Sequence, residues 1–509
     1  MRCLARLNIC ILAFIFANSA SFARADVEPE PGTFQHGANE ARARLFPDIV
    51  TTPARNIILF IGDGMGLSTV TAGRIYQGQK RGTDGESFVL PFETFPHVAL
   101  AKTYNMNAQV ADSAGTATAM LTGVKTKIGF VNVAHDQPYR SCDGLDEAAL
   151  EPLSAEFARA GKAIGVVSTT RLTHATPAAM FAKVPDRNWE SDVELPDDIQ
   201  QNKRIGNCRD IASQFVHAAT ELPIMVALGG GSRAFLPDSA GGRRADGRNL
   251  VEEWLTRTEG GIFVSSQQEL HAAEVATGPL FGLFSRSHMS YEADRARTEE
   301  PSLKDMTAAA LSRLKNDPDG YFLMVEGGRI DHAHHAGNAA RALEDMRAFS
   351  QAIAHAVATT DPRDTLIIVT ADHSHVFTIA GYPPRGNPIL GLVRTIPETG
   401  FDGGFFQDKN GYLYPTLGYG NGPGAPLSTK DLDRSDLTPE KAQGLDYRQP
   451  AAIPLGSETH GGEDVPIYAQ GPRAYMVRGV MEQNVLYHIM RNAAGMKAEI
   501  DAERADGNP

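Results

Sequence analysis

Cysteine is scarce in this chain. Four cysteines stand in 509 residues, and two of them, Cys3 and Cys10, fall within the first twenty-five. Too few remain for a thiolate metal cluster or a disulfide-dense scaffold. The remaining pair, Cys142 and Cys208, forms one bridge in an oxidising compartment or stays as two separate buried thiols. Long apolar runs are also missing. The N-terminal stretch at residues 9–17 is too short to span a bilayer. It follows Arg2 and Arg6 and precedes Ala23-Arg24-Ala25, a small-x-small cleavage site. That layout is a secretory signal peptide over residues 1–25, so the expected product is soluble and exported, periplasmic or secreted. Positive charge is in deficit, with 48 Lys and Arg against 61 Asp and Glu. Cleavage after Ala25 removes Arg2, Arg6 and Arg24 and no acid, taking the formal charge from −13 to −16. Such a surface excludes nucleic acid as a backbone-bound partner. An anionic substrate would need a local positive centre, such as metal ions.

Short apolar runs recur along the rest of the chain: NIILFIGDG (56–64), AIGVVSTT (163–170), PIMVALGGG (223–231), YFLMVEGG (321–328) and TLIIVTADH (365–373). Helical patterns lie between several of them, at 301–315 and 339–358. Strand–helix alternation predicts an α/β fold: one large, mostly parallel central sheet flanked by helices on both faces. The length fits two or three average domains or one large α/β domain with insertions, and the second is the reading adopted. No internal repeat is visible. Residues 376–456 are rich in Gly, Pro and Tyr with little periodicity, and read as an insertion subdomain.

The chemistry gathers where strands end. NIILFIGDG ends on Asp63; YFLMVEGGRIDHAHH supplies Glu326, Asp331, His332, His334 and His335; TLIIVTADHSH supplies Asp372, His373 and His375. Ligands of open α/β sheets bind beyond the carboxyl ends of strands, so these side chains should converge on one edge. Asp and His without thiolate suit zinc and magnesium. Singly, each has a bland reading: Asp63 as a turn residue, the histidines as a solvated turn, and Asp331 and His335 as one helix face. Ser113, in VADSAGTATAMLTG (110–123), reads first as a helix N-cap. The alternative is a nucleophile at the positive end of a helix.

ADSAGTATAMLTG, IGDGMG, TTRLTHATPAA, MVEGGRIDHAHH, TADHSHVF and ETHGGEDVPIYAQGP together resemble the alkaline phosphatase family. The resemblance runs from about residue 50 to about residue 490, and is closer to the animal-type branch than to that of enteric bacteria. It implies a phosphomonoesterase of broad specificity that forms a phosphoserine on Ser113, using two-metal in-line displacement. It places Asp331, His335 and His460 on a first zinc, and Asp63, Asp372 and His373 on a second. Asp63, Thr176 and Glu326 would hold magnesium, and Arg187 would grip phosphate oxygens. His174 and His332 match the animal-type branch, and would reach magnesium and phosphate, respectively, through water. Cys142 and Cys208 align with an animal-type disulfide.

The same resemblance implies a homodimer, with residues 376–456 as the crown at its interface. Two features depart from it. The animal-type calcium site is matched by Phe284 and Glu300, but Ser285 stands where that pattern has Glu, so calcium is not expected. The hydrophobic C-terminal tail that directs a lipid anchor is missing, so no membrane anchor is expected. Two rivals remain. One is a phosphodiesterase of the same superfamily, against which Thr176 and Glu326 argue. The other is a non-catalytic phosphate-binding protein, against which Ser113 argues.

Overall fold

A computed structural model describes residues 31–44, 49–197, 199, 208–397, 403–427 and 434–496. The signal peptide expected over residues 1–25 and the polar C-terminal residues 497–509 lie outside the described residues. Two compact units divide the chain at residue 48. The first contains the helix Phe34–Ala43, capped by Thr33, whose side chain accepts from His36 N at 3.2 Å. All that follows belongs to the second.

Its centre is a ten-stranded sheet in the order β15-β2-β14-β8-β1-β7-β3-β4-β6-β5. These are β1 Asn56–Gly62, β2 His97–Lys102, β3 Ala163–Arg171, β4 Ile224–Gly230, β5 Ile262–Val264, β6 Leu280–Leu283, β7 Tyr321–Gly327, β8 Thr365–Ala371, β14 Val465–Gln470 and β15 Gly479–Glu482. The strand β14 runs antiparallel to β2 and β8, and the other pairings are parallel. The five apolar runs of the sequence are β1, β3, β4, β7 and β8. Ile57, Ile58, Leu59, Phe60 and Ile61 are all fully buried. A strand covered on both faces has no polar side to alternate with. The register shows the two covers. Ile57 pairs with Phe322, so Phe322 and Phe60 point to opposite faces. Phe60 meets Phe349 of helix Ala339–Thr359 edge-on at 5.9 Å. Phe322 meets Phe157 of helix Leu153–Arg159 at 5.2 Å.

The predicted helices at 301–315 and 339–358 appear as Leu303–Leu314 and Ala339–Thr359. Ser302 caps the first through a reciprocal capping box with Asp305. The Gly- and Pro-rich stretch holds a small sheet of its own: β10 Phe377–Ile379, β11 Leu417–Gly422 and β12 Ala451–Pro454. Two short strands close its base: β9 Ser374–His375 pairs antiparallel with β13 His460–Gly461, putting His460 opposite His375. The chain therefore re-enters the main sheet where it left it.

Candidate active site

Three adjacent strands, β7, β1 and β8, carry acids at their carboxyl ends. Glu326 lies in register with Ile61 of β1 and Ser168 of β3. Asp63 and Asp372 each follow the last residue of a strand. Gly64 turns the chain away at φ +69°, and a Cβ there would lie 2.3 Å from His375 Nε2, so no larger residue fits beneath that ring.

Ser113 is the first residue of helix Ser113–Thr122, not its cap. The cap is Asp112, whose Oδ1 accepts from Gly115 N at 3.1 Å. A carboxylate matches the positive helix end better than a neutral hydroxyl does. Asp112 Oδ2 also accepts from Gly129 N at 3.0 Å and from Arg187 Nη1 at 3.1 Å. Relieved of capping, the buried Ser113 Oγ faces Asp63 Oδ1 at 3.4 Å and His373 Nε2 at 3.1 Å.

Around it the other side chains form three groups. In the first, Asp331 Oδ1, His335 Nε2 and His460 Nε2 stand 3.1–3.3 Å from one another. His335 Nδ1 lies 2.6 Å from the Glu458 carbonyl, and His460 Nδ1 lies 2.7 Å from the Ala111 carbonyl. Each Nδ1 must donate there, which leaves both Nε2 lone pairs turned toward a carboxylate oxygen. Three acceptors this close would suit a shared cation. The edge of a zinc tetrahedron with ~2.0–2.1 Å bonds is about 3.3–3.4 Å, close to the separations found. In the second group, His373 Nε2 lies 3.4 Å from Asp63 Oδ1 and 3.3 Å from Asp372 Oδ2. His373 Nδ1 faces the Ser374 carbonyl at 3.3 Å, so here too Nε2 offers a lone pair.

In the third group, Asp63 Oδ2, Thr176 Oγ1 and Glu326 Oε1 are buried and have no hydrogen-bond partner. An all-oxygen set with two carboxylates and a hydroxyl fits magnesium. Burial pushes Asp63 well above the usual carboxylate range, and the Asp372 and Asp331 charges add to this. Burial raises Glu326 to about 7. Asp372 is raised mainly by burial. A bound cation would remove the conflict by compensating these charges. The imidazole–carboxylate groups thus fit zinc in their donor chemistry, and the all-oxygen group fits magnesium.

The family model of alkaline phosphatase matches residues 54–496. The tissue-nonspecific alkaline phosphatase isozyme of Gallus gallus is 43% identical over 456 residues, covering 87% of this chain and 84% of that protein. The corresponding isozyme of Homo sapiens is 40% identical over 465 residues, covering 88% of this chain and 85% of its own length. The chain belongs to the alkaline phosphatase family. It is an enzyme, a phosphatase that hydrolyses phosphate monoesters. The crystal structure of the Thermus thermophilus alkaline phosphatase superposes with a TM-score of 0.63 at 26% identity, over 88% of this chain and 93% of that one. The enzyme of the Antarctic bacterium TAB5 shares the fold, with a TM-score of 0.59 at 21% identity, over 88% of this chain and all of that one. The animal relatives are thus closer in sequence than these two bacterial enzymes.

In this phosphatase Arg187 reaches His174 as well as Asp112: Nη2 donates to His174 Nε2 at 2.9 Å. The proton of His174 is therefore on Nδ1, which suits it to hydrogen-bond a water and not to ligate a metal directly. Burial, and then the Arg187 charge, hold its pKa well below the ordinary value. Burial also lowers His332, to about 3. Two histidines of the motifs stand apart from the ligands. His334 joins Thr69 Oγ1 at 3.0 Å to the Tyr419 hydroxyl at 2.8 Å, tying the ligand helix Arg329–His335 to β11. His375 bridges Asp331 Oδ1 at 2.9 Å and Glu458 Oε2 at 2.5 Å. Burial alone would lower His375, but these carboxylates raise it to about 9, and the two contacts fix its ring between Asp331 and Glu458. Nothing in the spacing of the sequence singled out Glu458, Asp112 or His288.

Cys142 and Cys208 are joined, with a Cα–Cα distance of 5.8 Å. In the segment the resemblance matches to a calcium site, Ser285 Oγ donates to the Ser287 carbonyl at 2.7 Å, and Glu300 Oε2 accepts from Ser290 N at 2.7 Å.

Proposed function

We propose that this phosphatase acts through a phosphoserine on Ser113, with zinc held by Asp331, His335 and His460 and by Asp63, Asp372 and His373, and magnesium by Asp63, Thr176 and Glu326. The observation that carries the reading is the Ser113 hydroxyl lying 3.1 Å from His373 Nε2 and 3.4 Å from Asp63 Oδ1, both atoms of one candidate ligand set. Bound zinc supplies Lewis-acid stabilisation of anionic oxygens flanking phosphorus, and bound magnesium adds charge compensation.

The chain's residues do the rest. Arg187 is held by Asp112 through Nη1 and by His174 through Nη2, and each of these nitrogens keeps a second N–H with which to pair a phosphoryl oxygen. The start of helix Ser113–Thr122 directs backbone N–H groups and a positive dipole end toward the same anion. The Ser113 oxygen displaces the ester oxygen from phosphorus, and the alcohol leaves with a proton. Water then breaks the phosphoserine, releasing phosphate and restoring the hydroxyl. All these groups address the phosphoryl end, which supports broad specificity toward the alcohol. Export and assembly as a homodimer through residues 376–456 complete the reading.

Replacing Ser113 with Ala should lower monoester turnover by several orders of magnitude, because the covalent route is lost. Zinc and magnesium content should change little. A Ser113→Ala enzyme with near-normal turnover would refute the assignment.

A further inference from the structure

Beside the phosphate-facing arginine lies a third histidine. His288, on the loop after β6, packs against His332 with ring centroids 4.1 Å apart. His174 lies 5.4 Å from His288 and 5.5 Å from His332. Each imidazole is gripped by a different arginine: His174 by Arg187, His332 by Arg329 and His288 by Arg171. Arginine can only donate, so the gripped nitrogen accepts and the proton sits on the other one. The group therefore presents N–H at His174 Nδ1, His288 Nδ1 and His332 Nε2. The first two are buried and have no acceptor. Three donors on adjoining rings, the first two without a hydrogen-bond partner, suit the oxygens of an anion and its bound water.

His288 is itself rigidly held. Arg171 Nε and Nη2 both bond Glu190 at 2.6 Å, and Thr173 Oγ1 bonds the same carboxylate at 2.6 Å. Met289 N donates to the Thr169 carbonyl at 3.1 Å, fixing the loop on β3. On the other side, Arg329 bonds His332 Nδ1 at 3.0 Å and lies over the Tyr291 ring at 3.8 Å.

We propose that His288 is a positioning residue for phosphate recognition: its ring, anchored through Arg171, sets the plane in which His332 presents its N–H toward the phosphoryl group. The inference rests on the proposed site around Ser113. Without His288, the His332 ring can turn about its Arg329 bond, and the donor is lost for part of the time. The effect falls on bound phosphate, not on the metals.

The test uses the metal-replete enzyme with inorganic phosphate as competitive inhibitor. His288→Ala should raise the phosphate inhibition constant by about 2- to 10-fold, less than the full loss of one hydrogen bond to a charged group because the donor is lost only part of the time. Zinc and magnesium content should be unchanged. In a His332→Ala background the same substitution should have no further effect, since residues acting through one another are not additive. His288→Phe, which keeps a ring against His332, should retain part of the wild-type affinity, and serves as the second variant if the alanine does not fold. An unchanged inhibition constant, or equal effects in both backgrounds, would overturn the proposal. Ser113→Ala run alongside separates the two failures: an inactive Ser113→Ala with a silent His288→Ala sinks the inference alone, whereas an active Ser113→Ala sinks both.

Discussion

Asp345 is buried on helix Ala339–Thr359, where its two carboxylate oxygens accept from Glu292 N at 3.3 and 3.2 Å. Burial raises its pKa from 3.8 to about 8, opposed by Arg329 and aided by the charges of Glu292 and Glu344. Between those two pH values the folded protein keeps a proton that the unfolded chain releases. Its contribution to stability is therefore full below 3.8 and is lost progressively as pH rises to about 8. Each tenfold change in proton affinity between the folded and unfolded chain is worth ~1.4 kcal/mol, so the loss is of order several kcal/mol. Asp345→Asn keeps an acceptor for Glu292 N and cannot ionise. Its advantage in thermal melts over the parent should grow with pH up to about 8 and then level off. An advantage that does not vary with pH would contradict the assignment. Nothing in the sequence marked Asp345, because ALEDMRA gives an acid on a helix no sign of being buried. Asp63, Asp372 and His373 were legible because they end apolar runs. His460 was not, because eighty-five residues separate it from His375, its partner across β9 and β13.

At the scale of elements, the five central strands could be read because burial on both faces makes every position apolar. The flanking strands could not. Pro466 interrupts the apolar pattern of β14, which runs antiparallel to β2 and β8. The strands β5 and β6 are three and four residues long, too short for any periodicity to register. The segment 284–300 holds Ser285 and Glu300, where no calcium is expected from the sequence. Calcium gains affinity from carboxylates, and here Ser285 is spent on Ser287 and Glu300 on Ser290 N. The neighbouring acids are occupied as well: Glu292 bonds Arg295 at 2.7 Å and Asp294 bonds Arg341 at 2.8 Å. Millimolar calcium should therefore move the melting temperature of metal-replete enzyme little, since a ligand stabilises only as far as it binds the folded state. A rise of many degrees that Glu300→Ala abolishes would show a functional site.

Across the whole molecule, the candidate site is assembled from the ends of β1, β3, β7 and β8, the start of helix Ser113–Thr122, and the return of the chain at β13. A parallel sheet makes the first part inevitable, because it brings all its carboxyl ends to one edge. The return at β13 depends on the β9–β13 pairing, which no local pattern announces. Within this assembly Ser113 Oγ lies beside Asp63 and His373, and the covalent intermediate is the central claim. It is tested most directly by quenching the enzyme in acid during turnover of a phosphate monoester and locating the phosphoryl group by peptide mass spectrometry. The expected result is phosphate on Ser113, within VADSAGTATAMLTG. Turnover with no phosphorylated Ser113 under conditions where hydrolysis of the intermediate is slow, or phosphate on a different residue, would contradict it.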